Sequence, residues 1–192
     1  MTSEKTEIKI NELESSRLNH LFGIALSNYT FDSNIEIKLT RTSIKGSTMQ
    51  AQPIFGFREV FTGLHKYRIR LAKFVRGSET MVVEELPDDV LIGWFAHELG
   101  HVKDYENHSF LGMIWFGLRY ITSSSFRKKI EHRADQIAIE HGYHKEVLAT
   151  KKFLFTHEDI DPTYRTKIKK FYMPMRDVED WIEKNISIDP VD

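Results

Sequence analysis

Pro87-Asp88-Asp89-Val90-Leu91-Ile92-Gly93-Trp94-Phe95-Ala96-His97-Glu98-Leu99-Gly100-His101-Val102 decides how the rest of this chain is read. Proline followed by two aspartates is a helix-start signal, because acidic side chains favour the positive end of the helix dipole. Leu91, Trp94, Phe95 and Val102 supply apolar positions, and the spacing predicts a helix over about 88–105. On that helix His97 and His101 lie four residues apart and project from one face. Both imidazoles can then point at one ion, and Glu98, one step round, can reach a water bound there. Gly93 and Gly100 share that face, each at a cost of about 1 kcal/mol relative to alanine. Glycines kept beside the histidines imply bare backbone, for close approach of a strand, a ligand or a substrate. The plain alternative is a pair of surface histidines with Glu98 in an ordinary charge pair.

Working outward, Leu18, Leu21, Phe22 and Ala25 follow helical spacing, which predicts an amphipathic helix within 10–28. Ile35-Glu36-Ile37-Lys38-Leu39 alternates strictly and reads as a strand with one buried face. Residues 48–61 include Pro53 and Gly56 and read as an irregular strand or loop. Tyr67–Val75 alternates again, Gly77-Ser78 signals a turn, and Met81-Val82-Val83 is a short strand candidate. On the C-terminal side, Phe110–Ile121 is apolar, and Ser123-Ser124-Ser125 reads as a break or cap. A second strong helix is predicted over 126–141, stopping at Gly142. Further helices are predicted at 144–154, after Pro162 and at about 177–186. Strands come first and helices later, so the expected fold class is α+β, in a single domain over residues 1–192.

Cysteine is absent from the 192 residues, which excludes a disulfide framework, a Cys-ligated metal site and a Cys nucleophile. Nine histidines remain, so a transition metal would be held by nitrogen and oxygen. Lys and Arg number 27 against 28 Asp and Glu, so no global positive field favours nucleic acid, and no nucleic-acid partner is expected. Arg127-Lys128-Lys129 is a short run that reads as a solvated face. The first residues are polar with no apolar leader, which points to a cytoplasmic chain. The Phe110–Ile121 run carries Arg119 and falls short of the about 20 apolar residues a transmembrane span needs. It reads as core or lid packing over the site, or as a segment for peripheral docking on a membrane or a protein.

Two histidines do not complete a catalytic zinc site, which takes three protein ligands and leaves a fourth position open. A metzincin spacing would need glycine at 104 and histidine at 107, where this chain has Asp104 and Asn107; His108 is one position off. Asp104 itself, three residues past His101, suits a capping or supporting role better than ligation. Glu131-His132-Arg133-Ala134-Asp135 on the later helix offers more. Glu131, Ala134, Asp135 and Ala138 share one face there. Glu131 can ligate, and Asp135 can accept the free N–H of a ligating histidine. The alternative is a solvated acidic face with Arg127 as a partner of Glu131.

The combination of Leu86-Pro87-Asp88-Asp89-Val90-Leu91, Ala96-His97-Glu98-Leu99-Gly100-His101, Glu131-x-x-Ala134-Asp135 and Gly142-Tyr143 resembles the gluzincin metallopeptidases. Within them it is most similar to the M48 (Ste24/HtpX-like) family, over about residues 86–143. The resemblance implies a zincin-like fold, with an N-terminal twisted β-sheet region, the HExxH helix and a second helix carrying the third ligand. It implies one Zn²⁺ on His97, His101 and Glu131, with Glu98 as catalytic base and Asp135 supporting a ligand. A later Ser/Thr-His-Pro segment of the family falls on Thr156-His157, followed here by Glu158. His157, Tyr164 and Arg165 are accordingly candidates for transition-state or substrate contacts. The expected activity is zinc-dependent hydrolysis of a peptide or protein substrate, which would add to an exposed strand edge, with Tyr67–Val75 the candidate edge. The alternative is a metal-binding but non-proteolytic or latent interaction module of the same fold.

Overall fold

A computed structural model describes residues 8–54 and 65–185 of the chain. The order is strand β1 (Ile8–Asn11), helix α1 (Ser16–Leu26), then β2 (Ile35–Arg41), β3 (Met49–Ile54) and β4 (His65–Leu71). Six helices follow: α2 (Asp88–Tyr105), α3 (Phe110–Thr122), α4 (Ser124–Glu140), α5 (His144–Thr156), α6 (Pro162–Phe171) and α7 (Met175–Asn185). The fold is α+β. Among the described residues no helix is long and apolar enough to cross a membrane.

The sheet is mixed, in the order β1-β2-β4-β3, with β3 antiparallel to β4 and the other pairs parallel. Alternation decides which face is covered: Ile35, Ile37, Leu39, Tyr67, Ile69 and Leu71 are buried, while Arg68 on the other face is exposed. The α2 helix packs against α1, β3, α4 and α5, and so joins the sheet to the helical half. An edge-to-face contact of Phe22 with Phe95, ring centroids 5.4 Å apart, ties α1 to α2.

Helix boundaries follow local chemistry. Ser15, Ser109 and Ser123 cap α1, α3 and α4 by accepting from Leu18 N, Gly112 N and Phe126 N. Gly142 has φ +91°, the left-handed conformation that ends α4. Three expectations are corrected. The first helix starts at Ser16 rather than near Ile10, because Ile8–Asn11 is a short strand paired with β2. Met81-Val82-Val83 forms no strand; Val82 makes one bridge to Phe74, and a single 3₁₀ turn follows over Val83–Glu85. The Tyr67–Val75 segment is no edge: β4 ends at Leu71 and lies between β2 and β3. Alternation reports an exposed face, not a missing lateral neighbour. The edge beside α2 is β3, where Pro53, unable to donate a ladder hydrogen bond, is tolerated. The remainder of the 48–61 segment, with Gly56, lies outside the described residues.

Candidate metal centre

The face of α2 that carries both histidines is buried from Gly93 to Val102. The glycines on it explain how the helices meet. A Cβ at Gly100 would stand 2.5 Å from the Ala134 carbonyl oxygen of α4, and one at Gly93 would run into the Glu146 carbonyl of α5. The bare backbone thus receives two helices rather than a strand or ligand. This close approach brings α4 side chains to the histidines.

His97 Nδ1 lies 2.8 Å from Asp135 Oδ1. An ionised carboxylate only accepts, so Nδ1 carries the hydrogen and a neutral His97 presents its Nε2 lone pair. That Nε2 is 3.3 Å from Glu131 Oε2, and His101 Nε2 is 3.6 Å from the same oxygen. All three ligand atoms lie within 4.8 Å of one another, close enough to hold a metal ion. Tetrahedral bonds of about 2.0–2.1 Å place ligand atoms about 3.4 Å apart, which matches both spacings to Glu131. The other oxygen, Glu131 Oε1, accepts from the Tyr120 hydroxyl of α3. Asp135 Oδ2 accepts from Lys151 Nζ of α5 at 2.5 Å. His101 Nδ1 is buried and has no hydrogen-bond partner among the described residues.

Electrostatics argue the same fit. Among the described residues, Glu98, Glu131 and Asp135 are buried carboxylates, and Lys151 is the one buried lysine facing them. Burial disfavours charge on each, so the shifts show what compensates. For Glu131 it would raise the pKa, but the two histidines hold it well below the usual carboxylate range. For Asp135, Lys151 and then His97 likewise overcome burial and lower it. Burial would depress His97, yet Asp135 and Glu131 push it up to about 10. At Glu98 burial prevails over the neighbouring imidazoles, and the carboxyl is raised. Without an ion, a protonated His97 and Lys151 balance Glu131 and Asp135; a divalent cation between the imidazoles and Glu131 would take the place of the His97 proton.

A cleft of about 510 Å³ opens onto this cluster. Glu98, His101 and Glu131 line it together with residues 49–53 of β3 and Met113, Phe116 and Tyr120 of α3. The apolar 110–121 run is therefore a helix forming one wall of the cleft. Glu98 Oε2 accepts from Ala51 N of the edge strand at 2.5 Å, which ties the carboxylate to the sheet.

His97, Glu98, His101, Glu131 and Asp135 are thus brought together; His157, Tyr164 and Arg165 do not line the cleft. Arg165 donates to the carbonyls of His157 and Ile160, bracing the turn before α6. Tyr164 packs where a Cβ at Gly77 would touch its ring, and burial pushes its hydroxyl up to about 12. His157 caps the end of α5 with its ring against Phe153. Sequence reasoning missed Lys151, Tyr120 and Tyr172. Lys151 had a signal, a lone cation between Val147 and Leu154 on the apolar face of α5. Tyr172 lines the cleft with its ring centroid 5.5 Å from that of His97, and no local pattern marks it. Comparison of the chain with protein-family models, curated proteins and solved structures gives no match.

Proposed function

We propose that this chain is a zinc-dependent peptidase of the gluzincin type, most similar to the M48 family, with a zincin-like fold. The observation that supports it most is the buried set of His97, His101 and Glu131 with Glu98 beside it on the cleft wall. His97, His101 and Glu131 would hold the ion, and Asp135 fixes the His97 tautomer and ring orientation. Zinc bound there supplies Lewis acidity, polarising a carbonyl and lowering the pKa of water toward 7.

The chain's own residues do the rest. Glu98, raised by burial, has a proton affinity nearer neutrality than an exposed glutamate. It accepts the proton of the attacking water on a carboxylate oxygen and returns it to the leaving amine. Burial keeps the Tyr172 hydroxyl protonated, so it enters the cleft wall as a donor. The β3 edge presents Met49–Pro53 to the cleft, and an extended peptide adds there as a further strand.

The test is direct. Purified protein is assayed for metal stoichiometry, then wild type and Glu98→Gln are compared on unfolded protein and peptide libraries. About one zinc per chain, with cleavage lost in the variant, is the expected result. Bound metal without cleavage under any condition would leave a binding module. No tightly bound metal, with His97→Ala indistinguishable from wild type, overturns the reading.

A further inference from the structure

The α3 helix turns apolar side chains outward. Leu111, Ile114, Trp115, Leu118 and Ile121 are 75%, 52%, 62%, 50% and 76% exposed. At 100° per residue these five occupy one stripe about 120° wide, opposite the buried Met113 and Phe116. The only other exposed large hydrophobic side chains among the described residues are Ile10 and Ile24. Scattered exposed apolar residues need no explanation, whereas a contiguous stripe does.

Charge along this stretch of the sequence selects the partner. Ser109–Ile130 contains Arg119, Arg127, Lys128 and Lys129 and not one acidic residue, in a chain whose net charge is −1. Arg119, Lys128 and Lys129 are exposed and make no ion pair among the described residues. Thirteen helical residues reach about 20 Å, against a hydrocarbon core of about 30 Å, so α3 can lie in a bilayer surface but not cross it. Apolar residues including a tryptophan, flanked by cations, make the pattern of an interfacial helix.

We propose that α3 is a membrane-surface anchor, which seats the outward stripe among the headgroups of an anionic lipid bilayer with Arg119, Lys128 and Lys129 on the lipid phosphates and carboxylates. Ile121 belongs both to the stripe and to the rim of the cleft, so docking sets the cleft mouth beside the membrane. The docking uses none of the metal ligands and stands or falls apart from the peptidase reading.

The full chain is floated with vesicles of phosphatidylcholine alone and with vesicles containing about a third phosphatidylserine, with a chelator present and absent. Binding to the anionic vesicles, weakened by salt and indifferent to the chelator, is expected. Leu111→Glu with Leu118→Glu abolishes it while far-UV circular dichroism stays unchanged, since both positions are exposed. Lys128→Glu with Lys129→Glu, which leaves the stripe intact, weakens binding at least about fivefold for each lysine lost. No binding to either vesicle overturns the proposal, as does binding that the leucine variants leave untouched. A dimer in sedimentation that Leu118→Glu dissociates, without vesicle binding, would assign the stripe to a second copy instead.

Discussion

The α2 helix buries His97, Glu98 and His101 among its apolar residues, whereas α3, beginning five residues after α2 ends, leaves Leu111, Trp115 and Leu118 in solvent. Each departs from the usual partition of polar and apolar side chains, in opposite directions. The polar groups of α2 survive burial because Asp135, Glu131 and Ala51 hold them. Among the described residues the exposed groups of α3 have no such partners. Burial of a polar group therefore marks internal chemistry here, and exposure of apolar ones marks a surface.

The contrast can be broken most sharply at Lys151. Lys151→Met leaves Asp135 buried without its cation, and unfolding in denaturant with chelator present should show a loss of about 3–5 kcal/mol. Adding Asp135→Asn to that variant should recover most of the loss. Next comes Gly93→Ala. Helix propensity alone favours alanine by about 1 kcal/mol, yet the clash with the Glu146 carbonyl should make the variant less stable by about 3 kcal/mol in the same measurement. Asp135→Asn alone should weaken binding of the proposed zinc about 10–100-fold in competition with a chromophoric chelator, because His97 loses its orienting acceptor.

A smaller effect belongs to Glu84, which joins β2, α1 and the 3₁₀ turn. The Ser15 hydroxyl, with Arg41 and Arg17, outweighs burial and holds its carboxyl below the usual glutamate range. Its contribution is present above the unfolded pKa and is lost as pH falls through the folded one. The group is partly exposed, so Glu84→Gln should cost under about 1 kcal/mol at pH 7, and the difference from wild type should shrink in acid denaturation series. Smallest of all, Leu118→Glu on the α3 stripe should leave stability within about 0.5 kcal/mol by thermal melting, unlike any substitution at the buried α2 positions.

Much of this was legible in the sequence wherever the signal is local. Pro87-Asp88-Asp89 and the apolar spacing set α2 at 88–105, and the one-turn spacing of Glu131 and Asp135 placed both carboxylates on one face. What the sequence hid is non-local. Strand order depends on pairings between distant segments, so β4 could not be distinguished from an edge by its own alternation. Ile8–Asn11 is short and mostly exposed, and its pairing with β2 becomes visible only in three dimensions. Lys151 lies on the apolar face of its helix and went unread, since its partner is 16 residues back on another helix. His157, Tyr164 and Arg165 drew attention through a loose family pattern, and packing rather than the cleft accounts for where they sit.

The candidate ligand set spans two helices, with His97 and Glu131 separated by 34 residues, and the geometry exists only when α2 and α4 are packed through Gly100. A cation that binds this arrangement and not the unfolded chain acts by mass action. At a free concentration a hundredfold above its dissociation constant it deepens the native state by about 2.7 kcal/mol. Removing such an ion takes that increment away, so the metal-free chain would unfold at a lower temperature and a lower denaturant concentration than the loaded one.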